Sequence, residues 1–84
     1  MILFGVRLEQ SQLLPSTYYG ESAGVTVYAS KRDQLAVEIG TTAGELKLFG
    51  SGKNLDEVRC KMRERLEAYE RECAALRRIL EARP

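Results

Sequence analysis

The residues with most capacity for chemistry lie in one short stretch, Leu48-Phe49-Gly50-Ser51-Gly52-Lys53-Asn54. A strand, a Gly-rich turn with Lys and a helix start is the order of a phosphate-binding loop, whose backbone amides cradle an anion. The stretch departs from that pattern at three points. Residue 47 is Lys where the first Gly belongs, and residue 54 is Asn where a hydroxyl would reach Mg²⁺. The flanking strands also predict an antiparallel sheet, whereas a Walker-type site needs a parallel βαβ unit. The stretch is expected to be a turn closed by a helix N-cap, without nucleotide hydrolysis.

Other chemistries are thinly supplied. With 0 His, the commonest general base and metal ligand is missing. Cys60 and Cys73 fall on one predicted helix roughly 20 Å apart, too far to pair within the chain. They form neither a CxxC nor a zinc spacing. Cys73 lies on the apolar stripe and is expected in the core. Cys60 lies opposite, near Arg59 and Lys61, and is expected to be exposed, with no His to activate it. No carboxylate sits in an apolar run that would raise its pKa. The expectation is a protein that is not an enzyme, with no catalytic, cofactor-binding or metal residues.

Composition sets the frame for these residues. Eighty-four residues with 44% apolar and 30% charged make one small domain, 1–84, with a thin core that oligomerisation could support. Thirteen Lys and Arg against 12 Asp and Glu leave a formal charge of +1. That balance lacks the basic excess of a nucleic-acid binder. Residues 1–7 lack the basic region and the long apolar run of a signal peptide. No segment approaches the roughly 18 apolar residues of a membrane span. With two unpaired thiols, these features predict a reduced, cytoplasmic protein.

The chain reads as α+β in the order β-loop-β-β-β-α: an antiparallel sheet of about four strands over residues 1–52, then a helix over 53–83. Residues 2–9 alternate as one half-buried strand, and 10–23 form a long loop around Pro15 and Gly20. Strands around Val25–Ala29, Leu35–Ile39 and Leu46–Phe49 follow, joined by short turns that enforce antiparallel pairing. Asn54 is the expected N-cap, with Asp56 and Glu57 in the first turn.

The helix carries apolar residues at Leu55, Val58, Met62, Leu66, Tyr69, Cys73, Leu76 and Leu80, a spacing close to the 3.6-residue period. About 29 helical residues span about 43 Å, more than the roughly 30 Å diameter of so small a globule. The helix is therefore expected to overhang its sheet. In its second half the apolar surface widens through Ala68, Ala75, Ala82 and Ile79. Residues 54 to about 66 are assigned to the chain's own sheet and 68–82 to a partner helix, most simply that of a second copy. The expected dimer interface is Ala68, Cys73, Ala75, Leu76, Ile79 and Leu80.

Two further surfaces are candidates for a second partner. Tyr18 and Tyr19 stand in the long loop beside turn residues, a composition found where proteins meet proteins. They serve either as contacts or as a lid on the sheet edge. Leu3, Tyr28 and Phe49 are expected on the outer sheet face as an apolar patch.

The joint Gly50-x-Gly52-x-Asn54, leading from a strand into a helix, is locally similar to the last strand and helix of double-stranded-RNA-binding domains. It is also similar to the strand-to-helix step of HicB-type antitoxins. The resemblance covers residues 35–70 at most. Asp56 and Glu57 stand where the RNA-binding family has a Lys pair, and the family's preceding helix is missing. Architecture alone is implied.

The expected function is a non-catalytic protein-interaction module: a homodimeric inhibitor or adaptor, of the type that phages and mobile elements encode, that binds another protein. The alternative is a nucleic-acid-binding dimer or transcriptional cofactor using the Arg-bearing helix or a β-ribbon.

Overall fold

Two X-Gly pairs turn the first half of the chain into more strands than alternation alone predicts. Phe4 and Gly5 have φ of 51° and 76°, and Ala23 and Gly24 have φ of 51° and 79°. Two successive left-handed residues make the two-residue turn whose twist matches a β-hairpin, and Gly takes the second position without strain.

The computed structural model describes residues 1–82. Among them, seven strands precede one helix: β1 (Ile2–Leu3), β2 (Val6–Arg7), β3 (Glu9–Gln10), β4 (Thr17–Ser22), β5 (Val25–Lys31), β6 (Leu35–Thr41), β7 (Lys47–Gly52) and α1 (Leu55–Glu81). The first two form a separate antiparallel hairpin, and the other five make a meander in the order β3-β4-β5-β6-β7. The α+β class and the succession of antiparallel sheet and long C-terminal helix are as the sequence predicts. The end of the predicted helix at Arg83 lies outside the described residues.

Two details of the sequence pattern are overturned. Residues 2–9 are not one strand, because the Phe4-Gly5 turn folds Leu3 back onto Val6. Leu3 and Leu8 can then both be buried, which a period-2 strand forbids for an odd and an even position. Residues 10–23 are not one loop either. Only Ser11–Ser16 connects, closed by the Ser11 amide donating to the Thr17 carbonyl at 2.8 Å. Thr17-Tyr18-Tyr19, β-branched and aromatic, then pairs with both neighbours. Gly20 is needed in that strand because a Cβ there would lie 2.6 Å from Leu8 Cδ2.

The core lies on one face of the sheet. Val27, Ala29 and Val37 point into it, and two covers share the face. The β1–β2 hairpin and Leu8 lie over the β4 side, while α1 lies over β6 and β7 with Val58 and Met62. Where the covers meet, the Arg59 guanidinium lies 5.6 Å from the centre of the Phe4 ring.

The helix starts as its sequence requires. The Asn54 side chain accepts from the Glu57 amide at 2.9 Å, and the Glu57 carboxylate accepts from the Lys53 amide at 3.1 Å. From there α1 runs for 27 residues, about 40 Å, back along β7. It outlasts the strand. The molecule measures 54 × 25 × 20 Å, with a radius of gyration of 15.5 Å against about 12 Å for a compact chain of this length.

Candidate functional site

The Gly-rich joint proves to be a packing device. A Cβ at Gly50 would meet Met62 Cγ at 3.1 Å, and one at Gly52 would meet Glu57 Cγ at 2.9 Å, so both glycines let the helix close on the strand. Two of the amides an anion would use are engaged: Glu57 donates to Asn54, and Lys53 donates to Glu57. Lys61 Nζ donates to the Ser51 carbonyl at 2.6 Å and lies 3.6 Å from the Glu57 carboxylate. The Lys53 amide holds the Glu57 carboxyl below its ordinary 4.5 against the opposing effect of desolvation, with smaller help from Lys61.

Further along α1 the environment changes. Val58 and Met62 are buried, Leu66 and Tyr69 are about one-third exposed, and Leu76, Ile79 and Leu80 are 61%, 71% and 85% exposed. Leu46, between the β6–β7 turn and the start of β7, lies at the end of this path and shares a groove with Leu66, Tyr69 and Cys73. Beyond it the stripe continues uncovered. Cys73 is exposed, contrary to the core position its spacing suggests, because the sheet ends before the helix reaches it. Cys60 is exposed, as its position opposite the stripe predicts. Of the other predicted dimer residues, Ala75 is exposed and Ala68 half-buried.

The tyrosine pair is separated by the strand that carries it. Tyr18 turns inward and packs against the core, whereas Tyr19 turns outward. This corrects the loop expectation, since neighbouring residues of a strand face opposite ways. Leu3 is buried beneath the hairpin and does not belong to the outer face.

Strand register assembles that face. Glu9, Tyr19, Tyr28, Glu38 and Phe49 stand opposite one another across all five strands. The Tyr19 and Tyr28 rings lie 4.7 Å apart, centre to centre, at 42°. The Tyr19 hydroxyl donates to Glu21 at 3.0 Å, which raises its pKa above the ordinary value of 10.0. Thr17, Ser30, Ala36 and Ser51 form the adjoining row. These short side chains leave a shallow groove beside Tyr28, Glu38 and Phe49. Glu38, expected from no motif, stands in the row between Tyr28 and Phe49, and only the register reveals it. Its ion pair with Lys47 is long at 3.9 Å and exposed, hence weak.

Among the described residues, no helix is long and apolar enough to cross a membrane. No family model, curated protein or solved structure matches the chain.

Proposed function

We propose that the protein is a non-catalytic interaction module: a homodimer held through the projecting part of α1, offering the outer face of its sheet to another protein. The observation that carries this is the helix stripe, which keeps its period past the sheet while Leu76, Ile79 and Leu80 stand in solvent. A helix of about 12 residues standing alone is marginal in water, and most helical stability comes from covering an amphipathic face. A second copy supplies that cover with identical residues.

The outer face provides the other contact. Tyr19, Tyr28 and Phe49 give it rigid apolar area. Glu9, Glu21 and Glu38 surround them, with Lys47 on the same face and Lys61 and Arg65 beside Phe49 at its edge. That chemistry suits a protein segment bearing apolar and basic side chains and disfavours a phosphate backbone.

Sedimentation equilibrium at tens of micromolar tests the dimer. The expected mass is twice 9.5 kDa for the wild type and 9.5 kDa for Leu76→Asp. A wild type of monomeric mass, or an unchanged dimer in the variant, overturns it.

A further inference from the structure

The exposed part of the stripe has a stricter pattern than the rest. Leu66, Tyr69, Cys73, Leu76 and Leu80 are spaced 3, 4, 3 and 4, the a and d positions of a heptad seam. Glu70 and Arg77 flank it on one side, Glu72 and Ile79 on the other. The seam also lies on the same side of α1 as Val58 and Met62, which the sheet already covers.

That alignment restricts how a second helix can approach. Paired helices lie about 8–10 Å apart along the whole of their shared seam. A parallel partner, followed toward its N-terminus, runs into the space that β6 and β7 occupy over Val58 and Met62. An antiparallel partner ends instead where the sheet begins. Its Glu81 comes level with Ala68, next to the groove that Leu46 forms with Leu66 and Tyr69, and its own sheet lies at the far end.

Charge then selects the register. With Tyr69 facing the partner's Leu80 and Cys73 facing the partner's Leu76, two-fold symmetry repeats both layers. Glu70 falls beside the partner's Arg77, also twice. A shift of one heptad toward the sheets sets Glu70 against its own copy, Glu72 against its own copy, and Arg63 against the partner's Arg77. A further heptad requires Met62, which is buried.

We infer that two copies join tail to tail, their projecting helices antiparallel over residues 69–80, with Tyr69–Leu80 and Cys73–Leu76 layers and paired Glu70–Arg77 contacts between chains. This rests on the helix-mediated dimer proposed above. The dimer then carries its two sheets at opposite ends of a short antiparallel bridge, each outer face on the side of its sheet away from its own helix.

Charge exchange tests the geometry without disturbing the core. Glu70→Arg places two arginines together and should loosen the dimer about tenfold. Adding Arg77→Glu restores opposite charges in the antiparallel register and should recover most of that loss. In a parallel pair the seam sets Arg65 beside the partner's Glu70 and Glu72 beside the partner's Arg77. The double exchange there brings like charges together at both places and weakens the dimer further. Disulfide trapping gives a second measurement. In a Cys60→Ser/Cys73→Ala background, Tyr69→Cys and Leu80→Cys copies should cross-link when mixed and not when oxidised separately. Weakening by the double exchange, or self-linking of either single-cysteine copy, overturns the antiparallel bridge while leaving the dimer standing. A wild type that stays monomeric at tens of micromolar overturns both.

Discussion

The two parts of α1 follow one hydrophobic period and meet opposite fates. Up to Tyr69 the stripe runs back along β7, with Val58 at 0% exposure, and beyond it the same stripe reaches 85% at Leu80. Helical period states which face must be covered. Strand length states how much of it the chain can cover itself. Strand β7 and Leu46 span seven residues, 46–52, or about 20 Å, which about 13 helical residues match. The rest of the 27-residue helix is left over. A difference in length between two packed elements thus becomes an interface.

The largest effect expected from this contrast is in stability. Val58→Ala removes two buried methyl groups beneath Met62 and the sheet. It should cost about 2 kcal/mol and lower Tm by about 10 °C, at any protein concentration. Leu80→Ala removes more atoms, yet at dilutions where the protein is monomeric it should leave Tm within about 1–2 °C. Its cost should appear only as concentration rises, through lost dimer. Equal losses for the two variants in dilute solution would mean that the end of α1 is buried within the monomer.

Hydrogen exchange sharpens the same boundary to single residues. Amides of 58–66 should exchange slowly in both monomer and dimer, because their hydrogen bonds open only with the core. Amides of 72–80 should be protected in concentrated wild type and should exchange with little protection in Leu76→Asp. Protection extending unchanged to residue 80 in that variant would break the division of the helix.

How much of this the sequence could tell depends on which forces are local. The helix, its Asn54 cap and its overhang were legible because period, capping residue and length are properties of a continuous segment. The meander from β5 to β7 was legible for the same reason, its turns being short and its strands alternating. The split at Phe4-Gly5 and the strand at Thr17–Ser22 were not. Neither turn carries the Asn or Asp that usually precedes Gly in a two-residue hairpin, and in β4 Gly20 interrupts the alternation. Gly20 is explained only by the segment 6–8 crossing it, the Arg7 carbonyl closest, a contact between distant residues. Burial of Leu3 depends in turn on the hairpin. The row Glu9–Tyr19–Tyr28–Glu38–Phe49 was visible only in part, as Tyr28 and Phe49, since register joins residues from five strands.

The smallest expected effect lies at the anchored end of the helix, where acid should loosen the joint that fixes α1 to β7. Glu57 accepts the Lys53 amide at 3.1 Å, and this bond, more than the nearby Lys61, holds its carboxyl below the ordinary 4.5. A carboxyl depressed in the folded state stabilises that state above its unfolded pKa, and the contribution disappears as pH falls through the folded value. The window therefore lies below pH 4.5 and touches the N-terminal turn first. The Lys53 amide proton resonance should move with a midpoint below 4.5, and in Glu57→Gln, whose side chain reaches the same amide without titrating, it should stay flat through that range. A midpoint at or above 4.5, or an equal response in the glutamine variant, would detach this carboxylate from the cap. The helix would then be held to the sheet by the Lys61–Ser51 hydrogen bond and by the packing of Val58 and Met62.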